Sequence, residues 1–98
     1  MSIHHVLLYK FKPGIDRIDE HLATILAFRD NTPGLLSLEC GRNIAADHAD
    51  RFSHGFVMTF ASRDDLDRYN RSEPHRLLVE GFRDDLADKL VVDFPGGD

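Results

Sequence analysis

The sequence predicts an α+β fold of the ferredoxin-like, split βαβ kind: a four-stranded antiparallel sheet with helices on one face. Three observations predict it. Apolar residues recur with period two in some segments and with period 3.6 in others, in the order strand, helix, strand, strand, helix pair, strand. Turn residues punctuate that order at Pro13-Gly14 and Thr32-Pro33-Gly34. The first strand is apolar on both sides, so the sheet face away from the helices also needs a cover.

Residues 3–11 (IHHVLLYKF) are rich in β-branched and aromatic types and form the first strand. Alternation places His5, Leu7, Tyr9 and Phe11 on one face, with Val6 and Leu8 on the other. Asp16 is positioned to cap a helix in which Ile18, Leu22, Ile25 and Leu26 recur at helical spacing until Thr32-Pro33-Gly34. Leu35 to Cys40 alternates as a second strand, with Leu36, Leu38 and Cys40 sharing a face. Residues 41–53 (GRNIAADHADRFS) are polar and aperiodic, and predict a loop. His54 to Phe60 is the third strand, with His54, Phe56, Met58 and Phe60 on one side.

Ser62 followed by Asp65 is an N-terminal capping pattern for a short helix with Leu66 and Tyr69 on its inner side. Ser72-Glu73-Pro74 opens another helix, since proline is tolerated in a first turn, and Leu78, Phe82 and Leu86 form its apolar stripe. Leu90 to Phe94 is the last strand, and residues 95–98 are a tail.

Two helical layers cover only one side of such a sheet. Val6, Leu8, Val57, Val91 and Leu35 are then expected on the uncovered side, a contiguous apolar patch of the kind that marks an interface. Packing against a second copy is the simplest remedy, so the chain is expected to be a homodimer.

A chain of 98 residues implies one domain, spanning 1–98. A net charge of −5, with acidic and basic residues interspersed, argues against nucleic acid as a partner. No apolar run reaches the roughly 18–20 residues of a membrane span, so no membrane partner is expected. The start, Met1-Ser2-Ile3-His4-His5, lacks the layout of a signal peptide. Cys40 is the only cysteine, which excludes an internal disulfide, fits a cytoplasmic location and reads as a small apolar residue rather than a nucleophile.

Six histidines in this length differ in meaning by position. His4 opposes His5, while His21 on a helix and His48 in a loop are expected at the surface. His5 and His54 share a face with core residues, His75 opens the helix covering that face, and Tyr69 is directed inward. Buried imidazoles and phenols must find partners, so this group suggests a cavity holding a small molecule. The alternatives are satisfied core histidines or a metal or haem ligand set. No metal motif matches their spacing, and neither a metal nor another cofactor is expected.

The sequence resembles the stress-responsive dimeric α/β barrel (Dabb) family over essentially its whole length. The resemblance rests on residues 5–12 (HVLLYKFK), Thr32-Pro33-Gly34 and Phe60-Ala61-Ser62. It continues through Leu66-Asp67-Arg68-Tyr69, Pro74-His75 and Val91-Val92-Asp93-Phe94. It implies a ferredoxin-like subunit whose sheet pairs across a dimer into a barrel. His5, His54, Tyr69 and His75 are similar to the functional positions of the family's plant polyketide cyclase, which works by aldol chemistry. The resemblance implies His75 as general base and Tyr69 as carbonyl or enolate hydrogen-bond donor, with His5, His54, Leu7 and Phe56 lining the substrate pocket. The family segment Tyr-x-x-His-Pro-x-His reads here Tyr69-Asn70-Arg71-Ser72-Glu73-Pro74-His75, with serine for the first histidine and the proline one place later. The function implied is a cofactor-independent cyclase or lyase acting on a polyketide-like or β-dicarbonyl molecule. A noncatalytic stress-related protein that binds a hydrophobic ligand or builds larger oligomers is the alternative.

Overall fold

A computed structural model describes residues 1–45 and 51–97. Four strands, β1 (Ile3–Phe11), β2 (Leu35–Arg42), β3 (His54–Phe60) and β4 (Leu86–Pro95), form one sheet in the order β2-β3-β1-β4. All neighbouring strands are antiparallel. Helices α1 (Ile18–Leu26), α2 (Arg63–Asn70) and α3 (Glu73–Arg83) cover one face, and a 3-10 turn (Ala27–Asp30) extends α1. This is the ferredoxin-like arrangement the order of elements implies. His48 lies outside the described residues.

The core fills the space between sheet and helices. Leu7, Tyr9, Phe56, Met58 and Phe60 supply the sheet side, and Ile25, Leu66, Tyr69, Leu78 and Phe82 the helix side. Serines hold the helix starts. Ser62 Oγ accepts from Asp65 N at 3.2 Å and donates to the Asp65 carboxylate at 2.9 Å, and Ser72 Oγ accepts from His75 N at 3.3 Å. Gly34, with φ +79°, sits against α2, where an added Cβ would lie 2.2 Å from Asp65 Cγ. Both the backbone geometry and the close approach require glycine there.

Several local expectations are corrected. Asp16 does not cap α1; Arg17 occupies that position without a side-chain cap bond. Leu36 does not share a face with Leu38 and Cys40, because the β2–β3 register shifts between Leu35 and Ser37, leaving Leu36 exposed. Leu86 is not part of the α3 stripe. The helix ends at Arg83 and Leu86 begins β4, still packed against the core.

The register of β4 on β1, which shifts between Lys10 and Phe11, changes the uncovered face. Val91 pairs with Leu7 and Leu35 with Phe60, so both belong to the helix side. Leu90, Val92 and Phe94 pair with Leu8, Val6 and His4 instead. The uncovered face therefore presents Val6, Leu8, Val57, Leu90, Val92 and Phe94, a larger apolar surface than the sequence reading assigned.

Candidate active site

The site is built from the middle of β1 outward. His5 pairs with Met58 on β3 and with Asp93 on β4, so a carboxylate sits beside its ring. His5 Nδ1 lies 2.5 Å from Asp93 Oδ1. An ionised carboxylate only accepts, so Nδ1 carries the proton and Nε2 is the ring atom left for a ligand. The imidazole is buried, whereas the Asp93 side chain is 41% exposed and connects it to solvent.

The α2–α3 junction brings two more groups to this ring. Tyr69, on the last turn of α2, stands edge-on to His5 with centroids 6.1 Å apart, and wedges against Phe60 at 5.4 Å and Phe28 at 5.7 Å. His75, on the first turn of α3, meets Tyr69 edge-on at 4.9 Å. Ser72 fixes that geometry: its hydroxyl donates to the Tyr69 carbonyl at 2.7 Å while accepting from His75 N. The serine that departs from the family pattern thus ties Tyr69 to His75 directly, and Pro74 fits the first turn of α3.

These groups border a recess of about 300 Å³, completed by Leu7, Tyr9, Phe56, Leu78 and Phe82, with Arg83, Asp88 and Lys89 also on its wall. Burial lowers the basicity of His75, and the neighbouring His5 and Lys89 add to this; a backbone hydrogen bond at Asn70 opposes it. Burial pushes the Tyr69 hydroxyl up, and that of Tyr9 also, with Tyr69 adding to the latter. Among the described residues neither hydroxyl has a hydrogen-bond partner. The arrangement offers a neutral imidazole and two protonated phenols to a ligand in a largely apolar recess. That combination can remove a proton from carbon and stabilise the resulting oxyanion.

Of the residues expected in the pocket, His5, Leu7, Phe56, Tyr69 and His75 come together and His54 does not. His54 pairs with Tyr9, four positions along β1 from His5. At about 3.3 Å per residue that is roughly 13 Å. The pair Leu7 and Phe56 intervenes, and the Tyr9 ring packs on Phe56 at 5.4 Å, filling the interior between the two histidines. His54 instead stands edge-on to Phe11, with Nδ1 2.8 Å from Ser53 Oγ.

Sequence reasoning missed Tyr9 and Asp93 as members of this site. Tyr9 lies on the His5 face of β1, and Asp93 is a carboxylate inside an apolar strand; both signals were present. It also misplaced His21, which is buried. Asp85, held low by the Arg17 guanidinium and then by His21, accepts from Arg17 Nη2 at 2.9 and 2.7 Å and lies 2.6 Å from His21 Nε2. The His21 ring stacks on Phe11 and lies 4.2 Å from Phe82. This cluster pins the start of α1 to the α3–β4 turn. His4 is on the uncovered face, its Nδ1 3.0 Å from Thr59 Oγ1. Cys40 is half-buried against the core, and burial pushes its thiol up. No group of three or more histidine, cysteine or acidic side chains among the described residues is arranged to hold a metal. None of the described helices is long and apolar enough to cross a membrane.

Solved structures share this architecture across nearly the whole chain. A hydroxynitrile lyase from Passiflora edulis aligns with TM-score 0.87 at 19% identity, covering 99% of this chain and 95% of that one. A dimeric ferredoxin-like protein of unknown function from Jannaschia sp. CCS1 aligns with TM-score 0.84 at 23% identity, covering 98% and 100%. A mutant form of SnoaB, a cofactor-independent oxygenase from Streptomyces nogalater, aligns with TM-score 0.80 at 13% identity, covering 99% and 94%. At these identities the likeness establishes the fold, and the class is that of ferredoxin-like proteins with dimeric members. None of the curated proteins compared matches the chain. The stress responsive A/B barrel domain matches residues 3–95, and the chain belongs to that family.

Proposed function

We propose that this protein is a cofactor-independent lyase or cyclase that performs acid–base chemistry on a small β-dicarbonyl or polyketide-like molecule. The observation that carries the reading is the grouping of His75, Tyr69, Tyr9 and the His5–Asp93 pair around one recess. His75 acts as general base toward a C–H flanked by carbonyls. Tyr69 and Tyr9 donate hydrogen bonds to the enolate oxygen, and His5, oriented by Asp93 through Nδ1, presents Nε2 as an acceptor to an enol or hydroxyl of the substrate. Leu7 and Phe56 form the apolar wall. A hydroxynitrile lyase and a cofactor-independent oxygenase on the same fold support the reading, in that the scaffold accommodates such catalysts.

The test is deuterium incorporation between the carbonyls of a β-keto thioester, followed by NMR above the buffer rate. His75 must be neutral to act, and it is neutral above its folded pKa. Because that pKa is lowered by burial, His5 and Lys89, the acid limb of kcat/KM is expected to fall below the usual imidazole range, with a plateau through neutrality. Absence of catalysed exchange, or an acid limb above the usual imidazole range, removes the role.

The alternative is noncatalytic binding of a hydrophobic ligand. It is favoured by a cleft of about 630 Å³ between α1 and the α2–α3 pair, lined by Thr24, Phe28, Pro33, Pro74 and Leu77 and sharing Tyr69 and Leu78 with the recess. Saturable binding of an apolar dye, without exchange activity, selects it.

The working unit is a cytoplasmic homodimer closed by the uncovered sheet face. Members of the fold from Jannaschia sp. CCS1 and Thermobifida fusca are dimeric, and six apolar side chains here have no cover of their own. Val92→Glu places a charge on that face beside Val6 and is expected to give monomer by sedimentation equilibrium at micromolar concentration. A dimer that survives Val92→Glu and Val6→Glu together excludes this interface.

A further inference from the structure

The recess around His75 has a polarity that β4 and α3 set independently. Along β4, Asp93, Val91 and Lys89 pair with His5, Leu7 and Tyr9, so the three stand in one row on the helix side of the sheet. The row reads acid, apolar, base. Asp93 lies four residues from Lys89, roughly 13 Å at about 3.3 Å per residue. Along α3, His75 is on the first turn and Arg83 is the last residue, eight positions on and roughly 12 Å away at about 1.5 Å each. Arg83 and Lys89 are the only lysine or arginine among the described residues that line the recess. Strand and helix agree: the His5–Asp93 pair, Tyr69 and His75 gather at one end and the two cations at the other.

We propose that Lys89 and Arg83 bind a carboxylate of the substrate, which narrows its class to β-dicarbonyl compounds bearing a carboxylate a few bonds from the acidic carbon. The inference rests on the reaction site proposed above and names what that site takes.

The physics of the walls supports this orientation. A carboxylate is drawn to Lys89 and Arg83 and repelled by Asp93, so the molecule enters one way round, with its acidic carbon toward His75. Asp88, the one acid among the lining residues, is committed to its own strand: it pairs with Lys10, and its Oδ1 accepts from Lys89 N at 2.8 Å. Both cations are exposed and carry long side chains that reach back along the recess, so the span to bridge is shorter than the backbone separation. Arginine adds a planar fork that meets two oxygens of one carboxylate. The charge of Lys89 is also felt at the reactive end: after burial and His5, it is the next group that lowers the basicity of His75. A bound carboxylate offsets that charge, so the seated substrate strengthens the base that acts on it.

The experiment compares 4,6-dioxoheptanoate with its methyl ester. Two methylenes insulate the β-diketone from the carboxylate, so the acidic carbon is nearly the same in both. Affinity is read from NMR shifts of the recess residues at neutral pH and constant ionic strength, and deuterium exchange at the carbon between the ketones is read alongside. The acid is expected to bind about fivefold more tightly than the ester, the upper end for an ion pair between exposed partners. Lys89→Gln should bring that ratio close to one, and Lys89→Arg should keep it. A lysine that serves only to block the edge of β4 predicts instead aggregation of Lys89→Gln with the affinity ratio unmoved. Equal affinity for acid and ester, or a preference that survives Lys89→Gln combined with Arg83→Gln, overturns the proposal whether or not exchange is seen. A carboxylate preference without catalysed exchange upholds this recognition and removes the proposed reaction.

Discussion

Replacing His75 with alanine is expected to lower turnover of a β-dicarbonyl substrate by roughly 10²–10⁴-fold, the range for losing a positioned general base. The fold should tolerate the change. His75 is only half-buried, and the cap at Ser72 uses its backbone N–H, which alanine keeps. Sedimentation and far-ultraviolet dichroism should match the unaltered protein, so the loss reads as chemistry rather than unfolding. Tyr69→Phe is a weaker companion, because Tyr9 remains as a second phenol on the same wall. Unchanged turnover in His75→Ala would move the base to the His5–Asp93 pair, whose Nε2 is oriented for the same task.

The largest effect on stability is expected from Phe60→Ala. Phe60 is fully buried, pairs with Ile3 on β1 and with Leu35 on β2, and carries the Tyr69 ring at 5.4 Å. Removing a buried phenylalanine side chain costs about 3–5 kcal/mol, since packed strands collapse only partly around the void. Against a total of roughly 5–15 kcal/mol for an ordinary domain, that is a large share. Urea denaturation at fixed protein concentration should show a lower midpoint with an unchanged slope. A loss below about 1 kcal/mol would mean the α2–sheet contact is far more plastic than its geometry implies.

Much of the architecture was readable from residue order alone. Period-two runs gave β1 and β3, and Ser62 and Ser72 announced the starts of α2 and α3. Boundaries failed where one residue suits two states. Leu86 continues the spacing of Leu78 and Phe82, yet it is also the first inward residue of a strand, and pairing with β1 decides the matter. The irregular register opposite Lys10 and Phe11 then puts Val91 on the helix side and Leu90, Val92 and Phe94 on the uncovered one.

The site was legible to the extent that facing is periodic. His5 and Tyr69 were placed inward by spacing, and they meet. Separation along a strand is a different matter, and His54 shares the His5 face from the far end of the sheet. Partners distant in sequence were hidden altogether. Asp93 and Asp85 look like ordinary surface acids until β4 brings one beside His5 and the α3–β4 turn brings the other beneath His21. A histidine on an amphipathic helix reads as solvated unless its counter-charge, sixty-four positions away, is known.

The paired rings of Tyr9 and Phe56 act as a bulkhead across the hollow of the domain. Both belong to the two central strands, where backbone position is held by neighbours on each side. Smaller side chains at both positions would loosen the packing between the His5 end and the His54 end of the sheet, where Phe11 and Phe82 would remain.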